Sequence, residues 1–111
     1  MRIAIVLLVL PLGACAGAYH TYSDGRLATR INDAYKARDA CLASSASAES
    51  AGTADTASLA RTAAMACTAE TDKLIEVSNL DGDPKVSARI RQDSDFRAMG
   101  FALRARGQAS N

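Results

Sequence analysis

From Leu27 onward, apolar positions recur three and four residues apart: Leu27, Ile31, Ala34, Tyr35, Cys41 and Leu42, with Arg38 on the same stripe. That period belongs to one face of an α-helix and predicts a helix from about Asp24 to Ser47, with Ser23 or Asp24 as N-cap. Arg38 is expected to flank the core with its aliphatic stem while its charge stays in water. Residues 44–56, SSASAESAGTADT, are rich in turn-forming residues and read as the connection to a second helix. The second stripe runs Ala60, Ala63, Ala64, Cys67, Thr71, Leu74 and Val77 or Ser78, and predicts one helix capped by Thr53 or Asp55. Asn79, Gly82 and Pro84 then break the chain, and Asp83-Pro84 reads as an N-cap followed by proline in the first helical position. The alternating oxygens of Asn79, Asp81 and Asp83 do not make a calcium loop, because Gly82 precedes the third oxygen and no closing Glu follows. Pro84 to Arg106 again favours helix, yet Val86 and Ile90 define one face and Phe96, Met99 and Leu103 another. A break near Asp93-Ser94-Asp95 is therefore expected, with Asp93 or Ser94 capping a short fourth helix. With no strand pattern, the fold class is all-α, a small bundle of three or four helices led by an antiparallel helical hairpin.

The N-terminus has a different character. Arg2 is followed by an apolar run from Ile3 to Leu10 and a small-residue end, the pattern of an export signal. The run is shorter than the roughly 20 residues that span a bilayer as a helix. Its last residues, Leu12-Gly13-Ala14-Cys15, resemble the lipobox of bacterial lipoproteins. The resemblance covers residues 1–15 only. It implies a cut before Cys15, a diacylglycerol on the Cys15 sulfur and an acyl group such as palmitate on the new amine. On that reading residues 1–14 are a signal peptide, 15–23 a lipidated tether and 24–111 the helical domain. Ala16, rather than Asp, follows Cys15, which in a diderm host resembles the signal for the outer membrane, facing the periplasm. The alternative is ordinary signal cleavage after Ala16 or Ala18, which discards Cys15 and yields a secreted or periplasmic binder or inhibitor.

Export changes the meaning of the cysteines. The chain has three, an odd number for an oxidising compartment, but lipidation or removal of Cys15 leaves Cys41 and Cys67 as a pair. A disulfide between them is expected, with two buried free thiols as the alternative. The two are placed symmetrically about the connection between the first two helices, so an antiparallel hairpin sets them side by side. A metal site is not expected, since the cysteines have no CxxC spacing and no accompanying His pair.

Composition narrows the function. There is no Trp and there are only two Phe, while alanine dominates the middle of the chain, so helix is favoured and the core is thin. Net charge is +1 and falls to zero once Arg2 leaves with the signal, which excludes nucleic acid as a partner. Acids concentrate between Asp39 and Asp83, whereas Lys85, Arg89, Arg91, Arg97, Arg104 and Arg106 make the last segment basic. The single histidine, His20, lies in the tether, and no phosphate-loop, dinucleotide or metalloprotease motif is present. No catalytic residues and no cofactor are expected. The Phe96, Met99 and Leu103 stripe reads first as core, with Phe101 off that face and exposed. The competing use is a surface for a protein partner in the envelope, made by Phe96, Arg97, Phe101, Arg104 and Arg106. The expected protein is thus a non-catalytic module held to the membrane through lipid on Cys15.

Overall fold

The computed structural model describes residues 24–109. Four helices follow one another: α1 (Gly25–Glu49), α2 (Thr56–Ala66), α3 (Thr68–Ser78) and α4 (Pro84–Ala109). α2 and α3 form one descending rod interrupted at Cys67, so the bundle consists of three rods, up, down and up. Residues 1–23, on which the expected signal peptide, Cys15, His20 and the expected tether fall, lie outside the described residues.

α1 starts where its cap predicts. The Asp24 carboxylate accepts the backbone N–H of Arg26 at 3.0 Å, satisfying one of the donors a helix start leaves open. Its inner face is Ala34, Arg38, Leu42 and Ala46, each one turn after the last. The helix continues through SSASAE to Glu49, beyond the expected end near Ser47, because Ala46 completes that stripe and is fully buried. Packing outweighs the weak helical preference of the serines.

α2 is capped by Asp55, whose carboxylate accepts the Ser58 N–H at 2.7 Å. That hydrogen bond, ahead of the nearby Arg61 charge, holds the Asp55 pKa below the ordinary carboxylate value. A pKa depressed by folding gives stability that is present above the unfolded value and lost as pH falls through the folded one. Urea midpoints measured from about pH 5 down to about pH 2 should therefore fall less steeply for Asp55→Asn than for the native chain; equal slopes would remove the capping charge from the account.

The expected single second helix divides at Cys67, whose φ of −106° and ψ of 22° leave the helical range. Its N–H still bonds to the Ala63 and Ala64 carbonyls, and the Thr68 hydroxyl takes up the Met65 carbonyl at 2.9 Å. The break coincides with the residue bridged to Cys41, which lies with its Cα at 5.8 Å. The disulfide joins α1 to the α2–α3 rod of the hairpin, as the cysteine spacing predicts.

Gly82, at φ +67°, makes the reversal before α4 and holds the left-handed conformation that side chains avoid. Asn79 ties this loop down: its amide donates to the Asp83 carbonyl at 2.8 Å and to Ser87 Oγ at 2.9 Å, and its oxygen accepts the Asp83 N–H. Asp83 in turn caps α4 by accepting the Lys85 N–H.

α4 is continuous, and the expected break at Asp93-Ser94-Asp95 is absent. The apolar face does not jump between two sets of large residues, because the true inner face is small: Ile90, Ser94, Ala98, Ala102 and Ala105 are all buried. Ser94 turns its hydroxyl back to the Ile90 carbonyl at 3.0 Å, the mid-helix arrangement of serine rather than a cap.

Two apolar clusters fill the bundle. Near the α1–α2 turn, Leu42, Leu59, Cys67 and six alanines (Ala46, Ala60, Ala63, Ala98, Ala102, Ala105) pack closely. At the other end, Ala34, Leu74, Val77 and Ile90 pack with Ile31, Ile75 and Val86. Between them each rod contributes one polar residue: Arg38, Thr71 and Ser94, all buried.

Candidate functional site

Arg38 is the centre of that polar layer. It lies on the α1 stripe between Ala34 and Leu42, and the structure buries it completely, guanidinium included, where the sequence pattern places its charge in water. Its burial is possible because its donors find partners, as a buried charge requires. Nε and Nη2 bond to Asp39 Oδ1 at 3.2 and 3.0 Å, and Nη1 pairs with Asp93 Oδ2 at 2.9 Å. Nη1 also donates to Ser94 Oγ at 3.2 Å, and Thr71 Oγ1 donates to the same oxygen at 3.3 Å. Ser94 thereby uses its whole inventory: its proton goes to Ile90 and its two lone pairs take Arg38 and Thr71.

A second arginine closes the circuit. Arg97 Nε bonds to Asp93 Oδ2 and its Nη1 to Asp39 Oδ2, each at 3.1 Å. Arg38, Asp39, Arg97 and Asp93 form a ring of alternating charge that joins α1 to α4, open to water on the side of Arg97 and closed on the side of Arg38. The Tyr35 ring stacks near the Arg38 guanidinium, 5.1 Å from its centroid, and adds to the compensation. Both oxygens of Asp39 and Oδ2 of Asp93 are taken up by guanidinium donors. The ring locks the register of α1 against α4 and fixes the orientation of the α4 surface beside it.

That surface carries most of the residues proposed as a partner face. Phe96, Arg97, Phe101 and Arg104, with Asp93 and Gly100, line a shallow groove of about 240 Å³. Phe96 is 78% exposed and Leu103 58%, so two members of the stripe expected as core stand in water. Only Met99 is partly buried, and Phe101, expected outside, packs partly against the cluster near the α1–α2 turn with the Arg104 guanidinium 5.4 Å from its ring centroid. Arg106 does not belong to this face; its guanidinium bonds to the Ala54 carbonyl and holds the α1–α2 turn. Residues 94–107 thus combine core and surface on two sides of one helix.

Comparison with known proteins adds no relative. No family model, no curated protein and no solved structure matches the chain. The functional reading therefore rests on this chain's own chemistry. Among the described residues one trio has metal-ligand character, Cys41, Cys67 and Glu70. Its two sulfurs are bonded to each other, so neither offers the thiolate a metal needs. No described helix is long and apolar enough to cross a membrane.

The sequence pattern missed Asp39, Asp93 and Ser94 as partners of Arg38. A signal was present in part: Arg38 and Thr71 interrupt apolar stripes at interior positions, where a polar residue requires a partner. Ser94 was hidden because the alanine face of α4 was not recognised.

Proposed function

We propose that the protein is a lipid-anchored component of a bacterial cell envelope: a non-catalytic module, cut before Cys15, acylated there, that holds a stapled helical bundle close to the membrane and presents the exposed side of α4 to its surroundings. The observation that carries this reading is the distribution of the three cysteines. Cys41 and Cys67 are joined, which suits an oxidising compartment, and the remaining cysteine stands directly after Leu12-Gly13-Ala14. Several acyl chains at about 0.8 kcal/mol per buried methylene give a stable anchor, where a single chain gives only marginal, reversible binding. The bundle itself supplies charge-paired, structurally committed polar groups in its interior and an amphipathic surface outside, the division of labour of an interaction module.

The test is metabolic labelling with palmitate in a bacterial host, followed by membrane fractionation. The native chain should take up label and sediment with membranes, and Cys15→Ser should take up none. An unlabelled native chain in the soluble fraction would contradict the anchor and leave the secreted form, cleaved after Ala16 or Ala18.

A further inference from the structure

The outward side of α4 has a composition that no internal contact explains. Lys85, Arg89, Gln92, Phe96, Gly100 and Leu103 follow one another at steps of three and four and so form one straight seam down the helix. All but the half-buried Gly100 are exposed. The seam holds two cations and two large apolar side chains and no carboxylate. Lys85 and Arg89 have no acidic partner among the described residues, whereas Asp93, at the seam's edge, is already neutralised by Arg38 and Arg97. From Lys85 to Leu103 the seam extends about 27 Å at 1.5 Å per residue.

We propose that this seam is a binding surface for anionic lipid, with Lys85 and Arg89 over the headgroup phosphates and Phe96 and Leu103 set into the boundary between headgroups and acyl chains. Basic residues in line with exposed Phe and Leu on one helix face, cations at one end and apolar side chains at the other, offer both contacts an interfacial helix makes with anionic lipid. A protein partner fits less well. Phe96 and Leu103, separated by a glycine, together offer on the order of 250 Å² of apolar surface, against roughly 450 Å² of apolar surface per side in a stable protein interface. This deepens the envelope reading and rests on it for access to the bilayer. α1 and α4 run in the same direction, with Ile31 and Val86 packed on one cluster, so the chain enters the bundle at the end where Lys85 and Arg89 lie. The segment from Cys15 to Asp24 reaches roughly 30 Å at most, which keeps the seam within touching distance of the surface that holds the anchor.

The chain has no tryptophan, so Phe96→Trp, at an exposed site, gives a single reporter of the seam. The full-length gene carrying Phe96→Trp is expressed, and the purified mature protein is combined with vesicles of phosphatidylcholine alone or of phosphatidylcholine mixed with phosphatidylglycerol. The expected result is a blue shift of emission with the anionic vesicles only, reversed by high salt. Adding Lys85→Gln and Arg89→Gln should lower the ratio of docked to undocked protein by about fivefold for each charge removed. Emission unchanged in both vesicle types would overturn the proposal. So would an equal shift in both that ignores the two glutamines, a concentration-dependent shift without vesicles, which would mean a second copy, or a shift produced only by added envelope protein. Intact mass of the same sample reads the anchor separately: a mature protein without acyl mass refutes the anchor, while the tryptophan still answers for the seam with vesicles added from outside.

Discussion

Replacing Arg38 with alanine is expected to destabilise the bundle by about 3 kcal/mol, because removing the buried cation of the ring leaves Asp39 and Asp93 to share Arg97 alone. Asp39 and Asp93 lose the buried one of their two cations, and Ser94 loses one of the two donors to its hydroxyl oxygen, keeping that of Thr71. A void the size of the side chain adds to the loss. The two carboxylates are partly exposed and regain some water, which keeps the figure at the lower end for a buried pair. In a domain of this size such a loss lowers the melting temperature by roughly 12 °C or more. Arg97→Ala removes the water-facing half of the same ring and should cost about 1 kcal/mol or less, as exposed pairs do. Urea unfolding of both variants decides the matter. Similar small losses for the two would mean that the Arg38 guanidinium is solvated and that the polar layer carries little of the stability.

Loss of the Cys41–Cys67 bridge should cost a similar amount, about 3.5 kcal/mol in the chain-entropy description for a loop of 26 residues. The effect matters here because the half of the core around the bridge is built largely from alanine. Alanine side chains bury little area each, so close approach of the helices yields only modest hydrophobic stabilisation. The bridge offsets that deficit by limiting the unfolded chain. Double replacement Cys41→Ser/Cys67→Ser, or reduction of the native protein, should lower the urea midpoint strongly while the opposite end, built on Leu74, Val77 and Ile90, retains helix longest. An unchanged midpoint with and without reductant would contradict a bridge that stabilises the fold.

The helices were legible in the sequence because their existence depends on period, and Leu27, Ile31, Ala34, Cys41 and Leu42 repeat it plainly. The hairpin and its disulfide followed from symmetry about the turn. Three features escaped for one shared reason, that a small or polar residue becomes interior only through its neighbours. Ala46 draws the serine-rich end of α1 into helix, since the bundle closes over it. Ala98, Ala102 and Ala105 form the true inner face of α4, while Phe96 and Leu103, whose size suggested core, point outward. Arg38 sits in the interior because α4 brings Asp93 and Ser94 to it from more than fifty residues away, as a partner separation of 56 shows. The mixture of aromatic and basic residues on the outer side of α4 was legible, but which of them share one face was not. Arg106 is drawn off to the Ala54 carbonyl, a contact set by how far the α1–α2 turn folds back.

In the proposed arrangement Cys15 anchors the protein, while Cys41 and Cys67 staple it. Intact mass of the mature protein, purified from a bacterial host with and without reductant, tests both parts together. The account predicts a chain that starts at Cys15, carries added acyl mass, and gains two protons on reduction as Cys41 and Cys67 are released. A chain that starts beyond Cys15 without acyl mass, or one whose mass ignores reductant, would contradict it.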